Sequence, residues 1–422
     1  MLRPTLVALP LLLHVFVPNL EAQGGPRCAA DNAGLTLPSG FCALIVADSV
    51  GRARHLTVAP NGDVVVAISG TRDQPGGVVV LRDRDGDGRA DITERFAGGT
   101  GDDVAFHGGF LYFATNGAVV RFPWRAGEMR PAGEPDTLVS DLPAVASHRA
   151  KSIAFGADGA LYVNIGSPTN ACQDPDRTKG TPGQSPCEAL RTRAGIWRFA
   201  ADRAGQKQAD GRRYATGLRN TVALAFRPQD GKLYGAVHGR DQLADLWPEH
   251  FTAEQSAEKP AEEFVRLEDG ADFGWPYCFF DPQTKQLVLA PEYGGDGETV
   301  GLCKDKRMPL IGFPGHWAPD GLHFYQGAQF PATYRGGAFI AFHGSWNRAP
   351  LPQQGYRVVF VPFRGDDPVG DWEVFADGFA GGQMDPRSAA HRPVGLAEGP
   401  DGSLYISDDS GGRIYRVIAT GR

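Results

Sequence analysis

Two sets of residues stand out by type and spacing. The first is Asp83-Arg84-Asp85-Gly86-Asp87-Gly88, followed by Asp91 and Glu94. It fits the pattern D-x-D-x-D-G-x5-E, in which Asp83, Asp85, Asp87, Asp91 and Glu94 wrap oxygens around one hard cation and Gly88 makes the turn. The flanks, VVVLR and RFAGG, read as strands. The expectation is therefore a structural calcium loop joining strands, not half of an EF-hand pair; an Asp-Gly-rich turn that binds nothing is the bland alternative. The second set is scattered: His148 and Arg149, Arg219-Asn220, His238-Gly239-Arg240, His343-Gly344-Ser345-Trp346-Asn347-Arg348, and Arg392. Singly, each reads as a structural or solvated residue. Gathered in one place, they make a pocket of imidazoles and guanidinium groups. Arginine grips carboxylates through paired N–H donors, and a neutral histidine is a base near pH 7. Such a pocket suits a polyanionic ligand held beside a general base.

Something must bring these segments together. One pattern recurs along the chain: an apolar run, a Pro/Asx-Gly turn, and a second apolar run. It appears as HLTVAPNGDVVVAIS (55–69), SIAFGADGALYVNIGS (152–167), ALAFRPQDGKLYGAVHG (223–239) and GLAEGPDGSLYISDDS (395–410). Looser copies span 103–117 and 321–344. Alternating runs around an Asp-Gly or Asn-Gly turn are the strongest short-range hairpin signal. Six hairpins spread over the chain predict an all-β fold, a six-bladed β-propeller with loop insertions; two β-sandwiches are the alternative. In a propeller, the segments flanking each hairpin converge on one end of a central channel. Helical signals are sparse. The best is TAEQSAEKPAEE (252–263), read as a capped, Pro-interrupted helix on a surface insertion.

Composition fits this reading. The 422 residues include 56 glycines and 32 prolines, a turn-rich share. Hydrophobic residues make up 42%, enough for a core, and no linker divides the chain. A formal net charge of −7 argues against a nucleic-acid partner. Arg3, the apolar run 6–17 and Leu20-Glu21-Ala22 read as a secretory signal over residues 1–22, leaving 23–422 as one exported domain without a membrane span. The six cysteines fit an oxidising compartment, secreted or periplasmic. No C-x-x-C or Cys/His cluster suggests a metal site. Of the 15 pairings open to six cysteines, the local one (28–42, 172–187, 278–303) is the simplest.

The hairpin-flanking motifs resemble the soluble quinoprotein sugar dehydrogenases, the glucose and L-sorbosone dehydrogenase-like propellers that use pyrroloquinoline quinone (PQQ). The resemblance runs from about residue 41 to 417. It rests on the His148 segment, GLRN (217–220) with LYGAVHGRDQLAD (233–245), FGWPYC (273–278), HGSWNR (343–348) and RPVGLAEGPDGSLYISDD (392–409). It implies His148 as the general base toward a sugar hydroxyl or hydrated aldehyde, with hydride passing to the quinone. It implies Arg219 against the quinone carbonyl, Asn220 beside the cofactor, and the backbone carbonyls of Gly239 and Arg240 on a Ca2+ ion. Arg348 and Arg392 would neutralise quinone carboxylates. His316, Trp317 and Trp346 would shape the ring or substrate wall, and an external acceptor would take the electrons. Two positions depart from the glucose enzyme's pattern. Ser147 stands where it has Asp, and Arg240 where it has Pro. Both point away from glucose and toward the sorbosone side. The competing functions are a calcium-dependent lactonase- or esterase-type propeller, which needs carboxylates or Asn around a channel cation, and a secreted binding propeller.

Overall fold

The computed structural model describes residues 26–145 and 147–421; the signal expected over 1–22 lies outside them. Strand formation follows β-branched and aromatic runs that fit a pleated, buried surface. Val64–Ile68 (VVVAI) is buried throughout, and Gly62 closes its hairpin at φ 92°, a conformation free of cost only for glycine.

Six sheets, each built on four antiparallel strands, form the ring, and two of them carry a short fifth strand in parallel. The inner, second, third and outer strands are Ala53–Val58, Val64–Ile68, Gly77–Arg82 and Ile92–Phe96 in the first blade. The second blade has Gly101–His107, Phe110–Thr115, Val119–Pro123 and Asp136–Ser140. The third has Ile153–Phe155, Ala160–Ile165, Gly195–Ala200 and Arg212–Thr216. The fourth has Ala223–Arg227, Lys232–Val237, Glu262–Leu267 and Ile311–Phe313. The fifth has Pro319–Phe324, Ala338–Phe342, Arg357–Val361 and Glu373–Ala376. In the sixth, Pro393–Glu398, Leu404–Asp408 and Ile414–Ala419 are completed by Phe41–Ala47. An early strand thus pairs with the last one and closes the ring. All six expected hairpins are inner-to-second-strand hairpins, so the six-bladed propeller stands.

The core is not one mass. A separate apolar cluster fills each gap between neighbouring blades, from Val65, Val78, Leu111 and Phe113 between the first two to Phe41, Phe339, Phe375 and Leu404 between the last two. At the axis, inner strands approach so closely that a Cβ on Gly321 would stand 2.0 Å from the Val394 carbonyl oxygen.

The inner strands carry bulges at one end. Pairing slips between Ala53 and Leu56, Gly101 and Asp103, Pro319 and Gly321, and Pro393 and Leu396. A bulge re-aims the side chains it contains. Arg54, Asp102 and Asp320 sit within these slips.

The expected helix is shorter than its motif. Only Ala253–Glu258 is helical, capped reciprocally by Thr252 and Gln255. The residue before Pro260 disfavours the α conformation, and the chain then enters Glu262–Leu267, a central strand with Glu262 buried. The three disulfides are the local pairs, Cys28–Cys42, Cys172–Cys187 and Cys278–Cys303. Among the described residues no helix is long and apolar enough to cross a membrane.

Candidate active site

Every segment of the scattered set reaches the same end of the ring. His148, Arg219-Asn220, His316-Trp317 and Arg392 precede inner strands. Ser167, His238–Asp241, His343–Arg348 and Asp409 follow second strands. Antiparallel neighbours put these two kinds of terminus side by side.

His148 has φ 53°. Its Nδ1 lies 2.9 Å from the Ser167 carbonyl oxygen and 3.0 Å from Ser167 Oγ. The Ser167 hydroxyl itself donates to the Thr169 carbonyl at 2.7 Å. A carbonyl only accepts, so Nδ1 carries the hydrogen and Nε2 keeps its lone pair. Burial, followed by the nearby Arg219 charge, pushes the imidazole well below its ordinary pKa, so it is neutral. Strand and histidine pack so tightly that a Cβ on Gly166 would stand 2.5 Å from His148 Cβ.

Asp241 organises the next layer. Its carboxylate receives Arg219 Nη2 at 2.9 Å, Arg177 Nη2 at 2.7 Å and Asn347 Nδ2 at 3.0 Å. Burial raises this carboxyl, but Arg219, His316 and Arg177 outweigh it and hold it far below the usual range. Arg219 also donates to the Gly239 carbonyl at 2.7 Å and to Asn170. Two amide oxygens here, Asn220 Oδ1 and Asn347 Oδ1, are buried without a partner. Both are acceptors left open toward a donor or a cation. Asp241, Asn170 and Arg177 were not expected from sequence. Asn170 and Arg177 occupy irregular loops with no motif of their own, whereas Asp241 lies inside the LYGAVHGRDQLAD stretch directly after His238-Gly239-Arg240.

Beneath lies a charged floor. Arg54 binds Asp409 at 2.9 Å, Asp320 at 3.2 Å and Asp102 at 3.4 Å. His343 Nε2 lies 2.7 Å from Asp409 Oδ1, and His238 Nε2 3.1 Å from Asp320 Oδ1. His55 joins Asp103 at 3.2 Å. Below this floor a cavity of about 270 Å3 continues along the axis past Thr57 and Val104 to His323 and Glu398.

Several expected residues are placed differently. Arg348 is fully buried, and its guanidinium donates to the carbonyls of Ala257, Gly315 and Pro352 and pairs with Glu258. This corrects the expectation of a carboxylate-neutralising Arg348: the group fastens a helix end to a loop. Trp317 is likewise a core residue, packed on Phe342 and Trp372, not a wall. His316 bridges Ser256 and Asn347 at the back of the pocket. Arg392 donates to the carbonyls of His343 and Gly344 and so shapes their loop. The Arg240 side chain turns to Glu292. Trp346, by contrast, is 55% exposed at the rim.

In the acidic loop, Asp83, Asp85 and Asp91 bring carboxylate oxygens within 4.8 Å of one another. Asp87 caps Arg89 N, and Glu94 pairs with Arg130, so these two stand outside the cluster.

Fold and site together define a class: a six-bladed propeller with a polar pocket of His, Arg and Asn at one end of its axis. The chain belongs to the TrAA12-like family, whose model matches residues 35–420. It is similar to the pyrroloquinoline quinone-dependent pyranose dehydrogenase of Coprinopsis cinerea, 26% identical over 237 residues. That match takes in 49% of this chain but only 31% of the relative's length. The fold matches the iodide structure of the Trichoderma reesei family AA12 protein at TM-score 0.75 and 18% identity, covering 92% of this chain and 98% of that one. The holo form of the C. cinerea pyranose dehydrogenase PQQ domain aligns at TM-score 0.72 and 20% identity, covering 94% and 98%. At these identities the structural likeness establishes the fold.

Proposed function

We propose that this protein is a PQQ-dependent oxidoreductase acting on a sugar or a sugar-derived aldehyde or alcohol, exported as residues 23–422 to a secreted or periplasmic location, with an external electron acceptor. The observation that carries this is His148, a neutral imidazole whose Nδ1 is engaged by Ser167. Family membership and the description of the C. cinerea relative support the cofactor.

The residues fit a planar, carboxylate-bearing quinone in part. Arg177 and Arg219 supply positive charge, and Asn220 Oδ1 and Asn347 Oδ1 are unpartnered acceptors. When bound, PQQ supplies the carbonyl that accepts hydride, and Ca2+ polarises it. Gly239 and Arg240 offer backbone carbonyls to that cation, the former shared with Arg219. His148 Nε2 takes the proton of the substrate hydroxyl. Arg219 has one N–H left after four hydrogen bonds and aims it at developing negative charge. Trp346 offers an indole face to a sugar ring. Asp83, Asp85 and Asp91 hold a separate structural Ca2+.

A second reading makes His343 the base, because its Nε2 faces Asp409 at 2.7 Å and gains the carboxylate orienter that His148 lacks. The calcium-dependent hydrolase reading has less support: the axial carboxylates Asp102, Asp320 and Asp409 already grip Arg54. The test is titration of the protein with PQQ and Ca2+, followed by dye reduction with a panel of aldoses and aldehydes. Saturable quinone binding and substrate-dependent reduction are expected; absence of both sinks the proposal.

A further inference from the structure

Two buried cations stand behind the segment that presents His148. Lys151 is fully buried, and its Nζ donates to the Pro143 carbonyl at 3.0 Å and the Arg149 carbonyl at 2.6 Å. Arg193 is 8% exposed, and its Nη2 donates to the Val145 carbonyl at 2.9 Å. Among the described residues neither cation forms an ion pair, and Arg193 Nη1 has no partner at all. Burying a cation without a carboxylate is costly and calls for a reason. The described residues between Pro143 and Ala150 belong to no helix or strand, so no ladder holds them. Three of their carbonyls, on both sides of His148, converge on these two side chains.

We propose that Lys151 and Arg193 are positioning residues that anchor the 143–149 segment through its carbonyls and thereby hold His148 against Ser167. The inference rests, for its catalytic meaning, on His148 being the base. The anchor is also built to loosen with pH. Burial, with Arg193 adding and Asp102 opposing, lowers the Lys151 pKa to about 7. Its charge is therefore present below that pH and lost above it, and a neutral amine binds carbonyls less strongly.

Limited trypsin digestion reads the anchor directly, because Arg149 is exposed within the segment and Arg387 offers an exposed site elsewhere. Cleavage tracks the population of the open segment. In the wild type, cutting at Arg149 relative to Arg387 should rise several-fold between about pH 6 and pH 8.5. Lys151→Met should cut about tenfold faster at the lower pH and lose that pH dependence. Arg193→Met should also accelerate the cut, and Arg193→Lys should restore protection. Unchanged cutting at Arg149 in both Met variants overturns the proposal. If Lys151→Met also opens distant sites, the Arg193 pair decides. With PQQ-loaded enzyme, faster cutting accompanied by a lower kcat at constant KM supports both anchor and base. Faster cutting with unchanged kcat leaves the anchor standing and removes His148 as the base.

Discussion

An arginine acts on a ligand only through N–H groups that the protein leaves open. Arg177, Arg219, Arg348 and Arg392 look alike as letters, yet carbonyls and Glu258 surround Arg348, while the Arg177 side chain keeps 31% exposure. The motif made Arg348 legible as notable but could not tell which partners it meets, because those lie up to 91 residues away. Replacing Arg348 with Met should cost about 3 kcal/mol of stability, as expected for carbonyls left unpaired inside the protein, yet leave quinone affinity of the folded protein unchanged. Denaturant unfolding and quinone titration check the two halves; a large loss of affinity with little loss of stability would restore Arg348 to the ligand. His148 was legible from its place ahead of a hairpin; its orienter Ser167 was not, since nothing in that residue's type announces a bond to an imidazole. His148→Ala should lower kcat by about 10^2 to 10^4 with quinone binding retained. A base must be unprotonated. Because burial and Arg219 depress this imidazole below its ordinary 6.5, the acid limb of kcat/KM should be centred below 6.5, and a limb centred at 6.5 or above would contradict the assignment.

At the scale of elements, turn chemistry was the readable part. Alternating runs located all six hairpins, four of them around an Asx-Gly turn, because φ > 0 and a pleated apolar face are local demands. Bulges were not readable. Each bulge is a mismatch between two strands, and it is what carries Arg54 and Asp320 to the axis. The 252–263 segment shows the same limit: its polar letters satisfied a helix, but the helix stops at Glu258, and Glu262 and Glu263 already pair within the fourth blade. The acidic loop divides in an informative way. Its letters fit a twelve-position calcium loop, yet Glu94 lies in a strand opposite Val80 and reaches Arg130, so the last ligand of that pattern is diverted. If the loop binds Ca2+ through Asp83, Asp85 and Asp91, Asp85→Ala should remove one calcium per chain in equilibrium dialysis. Glu94→Gln should retain it with affinity changed less than about tenfold. Equal loss in both variants would mean that the full twelve-residue pattern assembles on the ion.

Across the whole molecule, ring closure was foreseeable from the count of hairpins, but the charged hub was not, because Arg54 meets Asp320 and Asp409 across 266 and 355 residues of sequence. The hub joins the first blade to the second, fifth and sixth, and His238 adds the fourth. It also sets how stability responds to pH. Burial raises the Asp320 and Asp409 carboxyls, but Arg54 and the neighbouring histidines prevail, so both lie far below their ordinary 3.8. Groups depressed in the folded state stabilise it above the unfolded value and lose that contribution as pH falls below it. Burial lowers His55 and His238, but Asp103 and Asp320 prevail and hold both above 6.5. Groups raised in the folded state stabilise it below 6.5 and lose that contribution as pH climbs through their folded values. The two windows overlap between about pH 4 and 6.5, where the hub contributes most to stability. Arg54→Met leaves three buried carboxylates without their shared cation, and a stranded buried charge costs about 3–5 kcal/mol. The variant should unfold in acid at a midpoint about one pH unit or more above the wild type's, followed by circular dichroism. An unchanged acid midpoint would show that the histidines alone hold the axis together.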